Sequence, residues 1–209
     1  MSASEISEKK VGLRRQWSLC ALMVFAAFLL CAATGQSFSS LFASRLSLAQ
    51  EAIVALGLSA VACVNAWLGY KFASQRPVAQ HTIESYSRLD LRGWNPILLA
   101  PAAGIGEEIL FRGALQTLLG VWLSSALFVL AHTKAYRFNG LNRRVLLQAA
   151  GLFAVSLVLG AIAHFAGLIP AIVVHTVIDI TGLYTVRHVI AQGLMPNSSS
   201  KPTSLRDAA

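Results

Sequence analysis

From Val145 to Ile178 the chain runs for 34 residues without one charged side chain. A membrane-spanning helix needs about 20 predominantly apolar residues, so this block alone is long enough to cross a bilayer and turn back. Four more uncharged blocks precede it, at Gln16–Ser44, Ala52–Tyr70, Gly93–Gly106 and Gly113–Thr133. Charged residues make up only 12% of the chain, about half the share of an ordinary soluble domain. Hydrophobic residues make up 56%, and the mean hydropathy is +0.62. A chain of 209 residues is expected to form one domain, and this one reads as an integral membrane protein rather than a disordered chain or a coiled coil. Its formal charge of +8 would suggest nucleic acid in a soluble protein. Here the basic residues stand between apolar blocks, as topology signals do, so the bilayer is the expected partner and nucleic acid is not.

The 34-residue block is broken near its middle by Gly167 and Pro170, which predicts two helices joined by a tight turn, the second running to about Ile190. Asn95 to Thr133 is also too long for one span, and a split is placed near Gly120. An all-α, multi-pass bundle of about six helices results, at roughly 17–34, 50–72, 95–118, 121–134, 145–166 and 169–190. The groups Lys9/Lys10/Arg14/Arg15, Lys71/Arg76/Arg88/Arg92 and Lys134/Arg137/Arg143/Arg144 then fall on one side, which predicts both termini in the cytoplasm. Residues 1–15 read as an N-terminal tail and 16–192 as the membrane domain. Residues 193–209, rich in Ser and Pro from Met195 onward, read as a disordered tail. The stretch 73–93 reads as a cytoplasmic loop with room for an interfacial helix. The uncharged run between Arg15 and Arg45 is 29 residues long, too long for a signal-peptide core, and is expected to be a retained first helix. Cys20, Cys31 and Cys63 lie in apolar segments without CxxC spacing, which argues for neither a disulfide framework nor a structural zinc site.

Glu107, Glu108, Arg112 and Asp179 all fall within the predicted membrane region. An ionisable group at the bilayer centre costs at least about 2.5–3.5 kcal/mol, so these four are expected to face the bundle interior. Glu108 and Arg112 are four apart, on one helix face, in the favourable acid-before-base order. Glu107 projects about 100° away and has no local partner. One carboxylate is thereby assigned to structure, and the other is free for chemistry. Phe128 and His132 also share a face, as do His175 and Asp179. Taken singly, the first is what a packed histidine looks like, the second a polar bridge between helices, and Glu108–Arg112 a buried ion pair. Together they bring polar groups from three helices that can converge on one cavity.

In these residues the sequence resembles the CPBP family of intramembrane proteases, the CAAX-protease, bacteriocin-processing or abortive-infection family. The resemblance rests on Glu107-Glu108-x-x-x-Arg112 followed by Gly113, on Phe128-x-x-x-His132 and on His175-x-x-x-Asp179, and covers about residues 95–185. It implies a helical membrane fold and a glutamate-based endopeptidase acting on a peptide or membrane-protein substrate. Glu107 would be the general base that activates water, and His132 would orient or activate that water. His175 and Asp179 would bind the substrate carbonyl and stabilise the oxyanion, while Glu108 and Arg112 would support the first glutamate. Many members of the family carry Asn where this chain has Asp179. An ionised Asp cannot donate a hydrogen bond, so Asp179 either orients His175 or is protonated. The family name points to prenylated substrates, although none of the motif residues recognises a prenyl group.

The chemistry is coherent by itself: peptide hydrolysis needs a base for water, a donor for the leaving amine, and donor groups facing the oxyanion. Glu107 and Glu108, being adjacent, are expected to titrate as a coupled pair. The chain has no GxSG-type serine site, no HExxH or HxxEH signature and no pair of membrane aspartates, which disfavours serine, zinc and aspartyl intramembrane proteases. No cofactor is called for, and a metal-independent mechanism is favoured, although His132, His175 and Glu107 match the His2Glu ligand set of some zinc enzymes. A non-catalytic membrane protein that binds a peptide, as an immunity factor would, and a proton-coupled transporter stand as alternatives. His81, His164 and His188 are not assigned to the site, and Trp17, Trp67, Trp94 and Trp122 are read as interfacial anchors.

Overall fold

A computed structural model describes residues 10–73, 83–134, 136, 138 and 142–192. The predicted tail 193–209, residues 1–9, His81 and the first part of the predicted loop lie outside the described residues. Among the described residues every regular element is a helix. Helix α1 spans Leu13–Thr34 and α2 Leu48–Ala73. Helix α3 spans Asn95–Glu107 and passes without a break into a π-helical segment, Glu108–Leu115. Helix α4 spans Gln116–His132, α5 Arg143–Ala166 and α6 Leu168–Ala191. Among the described residues, five stretches are long and apolar enough to cross a membrane, with Asn95–His132 counted as one. Large apolar side chains such as Phe25, Ile53, Leu56, Leu130 and Phe165 point outward, which is the surface a bilayer covers.

Both predicted breaks are present. Gly167 has φ 104° and ψ 165°, a region closed to residues with a Cβ, and it reverses the chain between α5 and α6 within one residue. Gly120 has φ 76° and ψ 167° and kinks α4 four residues after it begins. Helix α1 starts earlier than expected, because Arg14 and Arg15 belong to its first turn, where charged side chains can reach the interface. Two local features were not expected. Phe38–Phe42 forms a 3₁₀ turn. Val11 pairs with the segment before α3, donating its N–H to the Arg88 carbonyl at 2.9 Å and accepting from the Asp90 N–H at 3.0 Å. Within the predicted loop, residues 83–86 make a helical turn.

Helices α3 and α6 form the centre. Helix α1 packs against α3, α2 against α6, and α4 and α5 close the other side through the π segment and α6. Three apolar clusters hold these contacts. Near the basic end, Leu91, Leu99 and Ala100 meet Leu183, Val186 and Val189. Towards the other end, Ala27 and Cys31 meet Ile109, Ala114 and Leu168, and Leu159 and Ile162 meet Ala171 and Val174. Along α3 the residues between the first two clusters include Glu107 and Glu108; along α6 the residues between the third and the first include His175 and Asp179. The polar side chains therefore sit at a level where apolar packing above and below leaves them facing one another.

Candidate active site

The π segment begins at Glu108, directly after Glu107. Such widened turns leave backbone groups without their usual i→i−4 partner and are frequent at functional sites. Here the Phe111 carbonyl accepts from the Gln116 N–H in the π register, and Ser124 of α4 adds a second donor, its buried hydroxyl at 2.6 Å. Thr117 Oγ1 donates to the carbonyls of Gly113 and Ala114 at 3.1 and 2.8 Å. Side chains of neighbouring turns thus stabilise a helical register that the local sequence does not select.

Glu108 is fully buried and Arg112 is 4% exposed. Glu108 Oε1 forms an ion pair with Arg112 Nη1 at 3.0 Å and accepts from His175 Nδ1 at 2.6 Å. Arg112 Nη2 donates onward to Ser156 of α5, at 3.0 Å to its hydroxyl and 3.3 Å to its carbonyl. The guanidinium lies over the Phe128 ring, 4.3 Å from its centroid, a cation–π contact strengthened by the absence of water. Glu108 is thus enclosed by three helices and the π segment, with its Oε1 held against His175 Nδ1.

Glu107 has different surroundings. Its side chain is 14% exposed, with Oε2 3.5 Å from His132 Nε2 and 3.8 Å from His175 Nε2. Asp179 Oδ2 lies 3.7 Å from His175 Nε2. Both imidazoles are oriented from behind. A carbonyl only accepts, so the 2.8 Å contact of His132 Nδ1 with the Phe128 carbonyl makes Nδ1–H the donor. The carboxylate of Glu108 does the same for His175. In each ring Nε2 is left to face Glu107. Phe128 therefore has two functions: its carbonyl sets the tautomer of His132, and its ring, 4.3 Å from the His132 ring and edge-on to Phe111 at 5.1 Å, backs the arginine.

All six residues singled out from the sequence, Glu107, Glu108, Arg112, His132, His175 and Asp179, lie in this one network. Glu108 and Arg112 reach Glu107 through His175 rather than directly. His164 and His188 lie apart from it, His164 against Phe165 and His188 against Tyr70 and Gln192. The four tryptophans are exposed near helix ends. Ser156, Ser124, Tyr86 and Tyr136 were not anticipated. Ser156 stands alone in an apolar run and Ser124 beside Ser125 in another, and neither carries a local signal, whereas Tyr136 follows His132 at the same i, i+4 spacing that drew attention to the other pairs. Among the described residues no group of three or more His, Cys, Asp or Glu side chains is arranged to hold a metal ion.

The fold and the network define an integral membrane protein with an acid and two imidazoles gathered from three helices inside the bundle. Residues 91–181 match the family model described as Rce1-like: Type II CAAX prenyl endopeptidase Rce1-like. The matched segment contains all three motifs and is a little under half of the chain, and over it the resemblance to the CPBP family is borne out. No curated protein and no solved structure matches the chain.

Proposed function

We propose that the chain is an intramembrane endopeptidase that hydrolyses a peptide bond with water activated by Glu107. The observation that carries this reading is the position of Glu107 Oε2, 3.5 and 3.8 Å from the Nε2 atoms of two histidines on different helices. These separations exceed a direct hydrogen bond and suit one bridging water. The partial exposure of Glu107, against the complete burial of Glu108, leaves the first carboxylate reachable by substrate.

In the reaction, the water oxygen bonds to the scissile carbonyl carbon while Glu107 takes one of its protons and His132 Nε2 accepts a hydrogen bond from the other. The carbonyl π electrons move to oxygen. As the carbonyl re-forms, the carbon–nitrogen bond breaks and the leaving amine takes the proton from Glu107, which returns the carboxylate. His175, held by Glu108 with its Nε2 towards the reacting centre, and Asp179 border the substrate carbonyl. The process needs no metal, and a chelator is expected to leave the rate unchanged.

The family description recommends a farnesylated peptide with a C-terminal CAAX sequence as the first probe, quenched so that cleavage restores fluorescence. Purified protein in detergent micelles is expected to cleave it, and Glu107→Gln, close to the native side chain in shape but unable to take a proton, to lose all measurable turnover while keeping the wild-type melting temperature. Residual turnover at the wild-type rate in Glu107→Gln rules out this assignment.

A further inference from the structure

The six motif residues offer the proposed hydrolysis few hydrogen-bond donors. The Nδ1–H of His132 goes to the Phe128 carbonyl and that of His175 to Glu108, while Arg112 is directed at Glu108 and Ser156. Asp179 donates only when protonated, and His175 Nε2 only when the ring carries both protons. Yet a developing oxyanion must meet donors already aimed at it, since stabilisation of this kind is usually the largest single contribution to catalysis.

Two tyrosines next to the site have a proton to give. The chain continues past α4 for another turn, the Tyr136 N–H donating to the His132 carbonyl at 2.9 Å. This sets the Tyr136 ring 5.9 Å from the His132 ring, and the Phe138 ring stacks on it at 5.9 Å. Tyr86 comes from a different element, the helical turn before α3. It packs into the apolar cluster at the basic end, beside the residues that Val11 pins in place. The two hydroxyls are 3.1 Å apart, and either can donate to the other. Two hydroxyls carry two protons and their mutual hydrogen bond uses one. Among the described residues no acceptor is recorded for the second.

We propose that Tyr136 is a further catalytic residue, its hydroxyl donating to the oxyanion of the substrate carbonyl, with Tyr86 as the positioning residue that donates to Tyr136 and aims it. The proposal rests on the endopeptidase reading above. Burial pushes the Tyr136 phenol up to about 12, with Asp179 and Glu107 adding to the effect, so the proton is present throughout the working pH range. A donor that itself accepts a hydrogen bond is polarised and donates more strongly, which is the advantage of a pair over a single phenol. It also relieves Asp179 of a role its chemistry does not suit.

The test compares wild type, Glu107→Gln, Tyr136→Phe and Tyr86→Phe on the quenched farnesylated CAAX peptide, with kcat and KM determined separately and melting temperatures measured alongside. Each Phe keeps the ring and its stacking. Tyr136→Phe is expected to lower kcat about 100-fold, the usual loss for one oxyanion donor, with KM and melting temperature close to wild type. Tyr86→Phe is expected to lower kcat by less, again without a matching rise in KM. Wild-type kcat in Tyr136→Phe, or a loss expressed only in KM or in melting temperature, overturns the proposal while Glu107→Gln remains inactive and the endopeptidase reading stands. Absence of cleavage by the wild type overturns both. Should Tyr136→Phe fail to accumulate, an unchanged kcat in Tyr86→Phe overturns the pairing on which the proposal depends.

Discussion

Arg112→Met removes one charge from a pair that is almost completely enclosed: the two side chains are 1% and 0% exposed, with Nη1 3.0 Å from Oε1. The surviving Glu108 carboxylate has no water to turn to and keeps only the His175 Nδ1–H. Breaking a buried pair from one side costs about 3–5 kcal/mol, chiefly from the charge left alone. The upper end is expected here, because two hydrogen bonds to Ser156, about 1 kcal/mol each, are lost as well. Glu108→Gln strands the guanidinium in the same way and is expected to cost about 3–5 kcal/mol, although the Gln oxygen still accepts from His175. The double variant removes both charges of the pair, so neither is stranded. It is therefore expected to be no less stable than either single variant, which gives a coupling energy of about 3 kcal/mol or more. Unfolding of the purified proteins in mixed micelles titrated with sodium dodecyl sulfate gives the four free energies of the cycle. If the loss in the double variant equals the sum of the two singles within about 0.5 kcal/mol, the sites are independent and the reasoning fails.

Two further outcomes follow from the packing and the charge pattern. A Cβ added at Gly104 would meet Thr176 Oγ1 at 2.5 Å and the Ile172 carbonyl at 3.3 Å, so Gly104→Ala is expected to wedge α3 from α6 next to His175 and to cost about 1–3 kcal/mol; Thr176→Ala in the same chain should restore part of the stability, and equal melting temperatures in wild type and Gly104→Ala refute the close approach. The positive-inside pattern predicts that the basic end faces the cytoplasm. With the native cysteines replaced, Arg92→Cys, at a site whose side chain is 87% exposed, should react with an impermeant maleimide in inside-out vesicles and Ser39→Cys in right-side-out vesicles, and the reverse labelling would invert the topology.

The helices were legible because their causes are local. Lipid-length runs without charge form helices, Gly167 and Gly120 break them, and i, i+4 spacing puts Glu108 with Arg112, Phe128 with His132, and His175 with Asp179 on common faces. These relations hold within one helix whatever surrounds it, so the six polar residues could be named from order and spacing alone. The turn at Phe38–Phe42 and the early start of α1 escaped because charges were used as boundaries, and a charged first turn at the interface is no boundary at all.

What the amino-acid order left open is which groups meet across helices. Spacing paired Glu108 with Arg112 but said nothing of His175, 67 residues away in sequence, nor that Arg112 would be anchored on Ser156. The π register from Glu108 to Leu115 depends on a hydroxyl from α4, and the tyrosine pair joins a turn before α3 to a turn after α4. In a bilayer the unbroken backbone hydrogen bonds make each helix nearly autonomous, so sequence determines the pieces. Their mutual rotation and depth are set by side-chain contacts between distant residues, and those distances, rather than the residue types, separate a carboxylate facing two imidazoles from one sealed against an arginine.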